Sequence, residues 1–201
     1  DLESSLHSRT ALLYQMGFRS DIRRSTLADA NELRDWRIYA DWAQSLILRA
    51  RKLYATEPFA LELEQTVYAL DATVIDLCLS LFPWAHFRST KAAIKLHTLL
   101  DLRGSIPTFL ALTEGAVHEV NLLDKIPIEP GAIYVMDRGY LDFARLARFT
   151  QAGAFFVIRA KSNLQSCVRT RRSVDPSTGL RCDQSINLRG LYSRQDYPDL
   201  L

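Results

Sequence analysis

Two short apolar runs each carry an aspartate, and these two carboxylates are the residues best suited to chemistry. The first run is Thr66-Val67-Tyr68-Ala69-Leu70-Asp71-Ala72-Thr73, and the second is Ala132-Ile133-Tyr134-Val135-Met136-Asp137-Arg138-Gly139-Tyr140. A carboxylate on a stiff β-strand suits Mg²⁺, which demands hard oxygen ligands in near-ideal geometry. Two such strands side by side can hold metal ions for phosphoryl transfer on nucleic acid. The plainer alternative is that aspartates end strands because they favour turns and caps. In that case Asp137-Arg138-Gly139-Tyr140 is an ordinary strand-to-helix turn.

Two carboxylates rarely fix a pair of ions, so metal chemistry calls for a third acid. No glutamate follows Glu129, and the acids beyond it are Asp137, Asp142, Asp175, Asp183, Asp196 and Asp199. Asp76, Asp101 and Glu114 are spare acids near the expected sheet, with Asp101 the best substitute among them. Arg138 and Tyr140 flank the second aspartate, where they can hold a phosphate or stack on a flipped base, or simply pair and pack. Arg88 and Lys91 follow the first strand and are candidates for DNA contact or a solvated loop. From Arg159 to Arg189 seven basic residues, Lys161 among them, face only Asp175 and Asp183. Such a stretch can touch phosphates or remain a solvated loop. His97 and His118 lack Cys or His partners at ligand spacing and read as structural.

The elements that must position these residues follow from pattern. A helix is expected from a cap at Ser25 or Thr26 to about Tyr54, with Asp29 early in it. Trp36, Tyr39, Trp42 and Leu46 follow the three-and-four spacing of one buried face, which makes Trp36 and Trp42 core residues. A short helical piece near Phe59–Gln65 leads to a strand at about Thr66–Ile75, which Leu77–Phe82 extends or turns from. Lys95–Asp101 and Pro107–Thr113 read as a hairpin turning at Arg103-Gly104-Ser105. His118–Leu123 suggests a helix, Glu129-Pro130-Gly131 a turn, and Ala132–Met136 a buried strand. Leu141–Thr150 is predicted helical, with Leu141, Ala144, Leu146 and Phe149 inward and Gly153 as C-cap. Phe155–Ile158 is a further strand, and short strands are expected beyond Lys161. The order predicts a mixed α/β sheet with helices on its faces.

The 201 residues are 48% hydrophobic with a formal net charge of +2, which supports a sizeable core and excludes global disorder. Cys78, Cys167 and Cys182 contain no C-x-x-C pair, which favours free thiols over a disulfide framework or zinc. Cys78 lies in an apolar run and reads as core. No apolar stretch reaches the roughly 18 residues of a membrane span, and no signal peptide opens the sequence. The expectation is a cytoplasmic protein with no membrane partner. The chain starts at Asp1 rather than Met and closes just past Tyr197-Pro198-Asp199, so both ends read as cut.

The residues around both aspartates resemble the DDE transposases of bacterial insertion sequences, in the branch with a Tyr-x2-Arg-x3-Glu-x6-Lys helix. Asp71-Ala72-Thr73 is similar to the family's opening Asp motif, Ile133–Tyr140 to its second, and Lys95–Thr113 to its second and third strands. Leu141–Gly153 and Phe155–Lys161 resemble the helix and strand that follow. The resemblance implies a ribonuclease-H-like fold in which Asp71 and Asp137 bind Mg²⁺, with Mn²⁺ as a substitute. It implies residues 1–65 as a helical region that binds DNA ends, 66–162 as a partial catalytic core, and 163–201 as the start of an inserted polar or β segment. The implied partners are element ends and target DNA, bound by a homodimer. The implied reaction is hydrolysis at the element's end and attack of the freed 3′-hydroxyl on target DNA. None of the eight tyrosines has Arg three residues later, so the third carboxylate of the family is absent. The expectation is a core cut before the catalytic helix and inactive by itself. A non-catalytic DNA-binding remnant, or another ribonuclease-H-like nuclease using Asp101, is the alternative.

Overall fold

In the computed structural model the residues described are 2–57, 63–78, 80, 85–88 and 91–189, with the side chains of 86–88 excepted. Most of the expected short helix at Phe59–Gln65, and the stretch 81–84, lie outside them. Two units divide the chain, Asp1–Arg49 and Ala50–Leu201.

The first unit is helical, with α1 at Leu2–His7, α2 at Thr10–Gln15, α3 at Arg24–Leu33 and the opening of α4, Arg37–Tyr54. The single helix expected from Ser25 to Tyr54 is therefore two. Arg34 turns extended, with ψ 142°, and Asp35 accepts the backbone N–H of Arg37 at 2.9 Å, which starts the new helix. Neither Ser25 nor Thr26 caps α3, whose N-cap residue is Arg23 without a side-chain bond. The aromatic stripe is not core. Trp36 is 72% and Trp42 64% exposed, and Tyr39 and Leu46 are exposed too. Periodicity shows that a helix has two faces, but not that anything covers one of them.

The second unit carries a six-stranded mixed sheet. Its strands are β1 (Val67–Leu77), β2 (His86–Arg88), β3 (Lys91–Asp101), β4 (Ile106–Glu114), β5 (Ile133–Met136) and β6 (Phe155–Ile158). The order is β2-β3-β1-β5-β6, with β4 also paired to β3. β1, β3 and β4 are antiparallel, whereas β5 runs parallel to β1 and β6 parallel to β5. The β3–β4 turn closes at Gly104, whose φ of +80° and crowding by the Tyr54 ring exclude a side chain. Pro107 sits beside a bulge in β4, where a missing N–H is tolerated.

One face of this sheet is packed. Tyr68, Leu70, Leu99, Tyr134 and Met136 meet Leu122 and Leu123 of a 3-10 turn at Glu119–Asp124, and Leu146 and Phe149 of helix α5, Phe143–Gln151. The Tyr134 ring stands edge-on to Phe149 at 4.9 Å and lies 5.2 Å from Tyr68. α5 begins two residues later than the sequence suggests because a 3-10 turn, Arg138–Tyr140, intervenes and Asp142 then caps the helix. Ala144, expected inward, is exposed. Gly153, at φ +72°, follows the C-terminus as expected. The mixed sheet with flanking helices and a helical N-terminal region is the ribonuclease-H-like arrangement that the resemblance implies.

Beyond the sheet, β7 (Ser166–Arg172) and β8 (Asp183–Leu188) form a separate antiparallel pair, the short strands expected after Lys161. Cys78 is exposed rather than core, because β1 runs past the packed face before reaching it. No helix among the described residues is long and apolar enough to cross a membrane.

Candidate active site

β1 and β5 are neighbours with Leu70 opposite Met136 in parallel register. Asp71 and Asp137 each follow by one residue, so the two carboxylates leave adjacent strands at the same level, about 4.8 Å apart along the sheet. Alternation sends both away from the packed face that Leu70 and Met136 enter, and both are exposed. Asp71 lies inside β1. Asp137 lies just past the C-terminal end of β5, where the chain must turn. Its Oδ1 accepts the Gly139 N–H at 2.9 Å, and its Oδ2 accepts from the Arg159 guanidinium at 2.8 Å. Asp137 is thus both a cap, as the plainer reading expected, and an exposed carboxylate presented at the C-terminal end of β5.

A third carboxylate approaches from the packed side. Glu119 pairs with Lys95 of β3 at 3.4 Å. A Cβ built on Gly139 would stand 2.8 Å from Glu119 Oε2 and 3.8 Å from Asp137 Oδ1. Both carboxylates therefore border one point, and a side chain at position 139 would have to displace the Glu119 carboxylate. Sequence reasoning passed over Glu119, which belongs to no motif and reaches the site only through the fold. It also missed Arg159 as the partner of Asp137, because a basic residue after a strand carries no signal of what it pairs with.

Tyr140 closes the turn and is fully buried, with its hydroxyl lacking a hydrogen-bond partner. Burial raises its pKa, and the charges of Glu119, Asp71 and Asp137 raise it further. A ring with no exposed surface offers no face to a base, so of the two readings of Tyr140 the structure favours packing. Arg138 is exposed beside Asp137, and Lys161 is exposed two residues past Arg159. Arg88 and Lys91 are not brought to the aspartates. They are paired between β2 and β3, and Leu77, six residues along β1 from Asp71, pairs with Ala92, which puts that pair roughly 20 Å away at strand rise. The side chain of Arg88 lies outside the described residues.

Asp101 is not the substitute third acid. It pairs in register with Tyr68, three residues before Asp71, and is buried as a turn residue that accepts from the Arg103 N–H at 2.9 Å. His97 is structural, buried with Nε2 2.9 Å from Thr113 Oγ1. Among the described residues no group of three His, Cys, Asp or Glu is arranged to hold a metal ion directly.

The family model described as Transposase DDE domain matches residues 62–195. The chain belongs to the DDE transposase domain family. It is 29% identical over 153 residues to a "Putative transposase y4zB" of Sinorhizobium fredii (strain NBRC 101917 / NGR234), a match covering 76% of this chain and 41% of that protein. It is 27% identical over 106 residues to a "Probable transposase for insertion sequence element IS5377" of Geobacillus stearothermophilus, covering 53% of this chain and 28% of that protein. The chain thus spans less than half the length of these curated relatives. No solved structure matches it significantly.

Proposed function

We propose that this chain carries the two-aspartate part of the active site of an insertion-sequence transposase. The observation that carries the reading is the Leu70–Met136 register, which sets Asp71 and Asp137 level on neighbouring parallel strands. Two exposed carboxylates level with each other on neighbouring strands offer hard oxygens that fit Mg²⁺, with Mn²⁺ as substitute. When bound, such an ion supplies Lewis acidity at the scissile phosphodiester. Asp71 and Asp137 hold it, the Gly139 N–H orients Asp137, and Arg159 shares that carboxylate. Arg138 and Lys161 are candidates to contact DNA phosphates around the site, while Arg88 and Lys91 serve a more distant stretch of DNA.

The reaction proposed for the complete protein is phosphodiester hydrolysis at an element end, followed by attack of the 3′-hydroxyl on target DNA. Its partners are element ends and target DNA, engaged by a homodimer. Residues 1–65 are assigned to end binding, 66–162 to the partial core and 163–201 to the opening of an insertion. The present sequence holds no Tyr-x2-Arg-x3-Glu-x6-Lys helix, so this polypeptide alone is expected to cleave poorly or not at all. Robust end-specific cleavage by it would refute that part.

The metal assignment is tested with Fe²⁺ in place of Mg²⁺ and peroxide, mapping where hydroxyl radicals cut the backbone. Cuts clustered near residues 71 and 137, and lost in Asp71→Asn, are the expected result. Cuts elsewhere only, or cuts that survive Asp71→Asn, sink the assignment.

A further inference from the structure

The turn that presents Asp137 is gripped from beneath by a residue outside the aspartate pair. Lys95 is largely buried and donates to the Val117 carbonyl at 2.9 Å, with Glu119 Oε1 at 3.4 Å. A lysine charge in that setting needs a nearby anion, so the pair fixes Glu119. Its other oxygen, Oε2, occupies the space above Gly139, 2.8 Å from where a Cβ would stand. The Gly139 N–H is the group that orients Asp137. Glu119 therefore sits on the very peptide that sets the direction of a site carboxylate.

A second observation comes from the tyrosines. Two other tyrosines of the same core have satisfied hydroxyls: Tyr68 bonds Glu129 and accepts from Arg51, and Tyr134 bonds the Pro127 carbonyl and the Glu129 N–H. Tyr140 alone among these three is buried with an unpartnered hydroxyl, and it closes the 3-10 turn that presents Asp137. Leaving a buried hydroxyl unpaired is costly. Asp71, Asp137 and Glu119 all bear on that hydroxyl electrostatically, with Lys95 paired to Glu119 and Arg159 to Asp137.

We propose that Glu119 is a positioning residue of this site: clamped by Lys95, it seats on Gly139, steadies the Asp137 turn, and adds the negative charge that strengthens divalent-cation capture by Asp71 and Asp137. The inference rests on the reading of those two aspartates as metal-binding. It gives Glu119 no direct ligation, in keeping with the absence of a three-residue metal cluster among the described residues.

The test is a Mn²⁺ titration of the full chain, reading free Mn²⁺ by electron paramagnetic resonance. Glu119→Gln keeps the shape and an acceptor for Lys95 but removes the charge. It should weaken binding about tenfold, the scale of one unit charge a few ångströms away in a partly screened site. Glu119→Asp should recover part of that loss. Gly139→Ala, whose methyl displaces the Glu119 carboxylate, should weaken binding similarly, and it carries the test if Glu119→Gln melts below the assay temperature. Wild-type affinity in both Glu119→Gln and Gly139→Ala, with binding lost in Asp71→Asn, overturns the inference and leaves the metal reading standing. Binding unchanged in Asp71→Asn, or absent from the wild-type chain at millimolar Mn²⁺, overturns both.

Discussion

His97 shows how a residue behind the site sets a condition on the whole fold. Its imidazole is buried against Thr113. Burial holds its pKa below the ordinary value of 6.5; Glu119 pulls it up and Lys95 pushes it down. As pH falls through that value the unfolded chain takes up a proton that the buried ring resists. The unfolded state then binds more protons, so stability falls with falling pH. Urea midpoints should drop between pH 7 and 5.5, and His97→Gln should flatten that slope; an unchanged slope would place the acid sensitivity elsewhere. Arg159 poses the complementary case. It is exposed and spends its charge on Asp137, so Arg159→Met should leave stability within about 0.5 kcal/mol. On the metal reading, the same change should tighten Mn²⁺ binding about two- to threefold, since an exposed charge is partly screened. Weaker binding would mean that Arg159 orients Asp137 rather than competing for it.

At the scale of elements, α5 depends on its N-cap. Asp142 accepts the Arg145 N–H at 3.0 Å, and the Arg145 guanidinium reaches back to Asp142 and across to Asp124 of the 3-10 turn at Glu119–Asp124. Asp142→Ala should cost about 1 kcal/mol, the usual worth of an N-cap, read as a lower urea midpoint with unchanged slope. β1, the β3–β4 hairpin, β5, α5 and β6 were all legible within a few residues, because each has a clear apolar period bounded by turn residues. The 3-10 turn after Asp137 was not, since its sequence equally suits a direct entry into the helix. The α3–α4 break was hidden because Asp35 looks like any surface acid inside a helical pattern. The pair of aspartates was legible from local motifs. Glu119 was not, because its partner Lys95 lies far back along the chain and on another element. The choice between the two readings of Tyr140 was not legible either, because a tyrosine beside a site residue gives no local sign of whether it turns inward or outward.

For the molecule as a whole, the sheet is packed on one face, and among the described residues several apolar side chains on its other face are exposed. The register that sends Asp71 and Asp137 outward sends Val135, Phe155 and Val157 the same way, because Val135 pairs with Ala69 and Val157, and Ile133 with Phe155. Leu110 and Leu112 join them, facing Thr98 and Leu96 across from Asp71 and Thr73. Phe155 is 59% and Val157 58% exposed, on strand β6 at the edge of the sheet. Parallel strands ordinarily have both faces covered, and an exposed apolar edge strand is a template for association. The isolated chain should therefore bind a hydrophobic dye and self-associate as its concentration rises. Val157→Lys, placed where the side chain is already in water, should suppress both effects while shifting stability by no more than about 0.5 kcal/mol. A loss of several kcal/mol in that variant would show that Val157 is buried in solution. A wild-type chain that stays monodisperse and dye-free at high concentration would show that this face is not open at all.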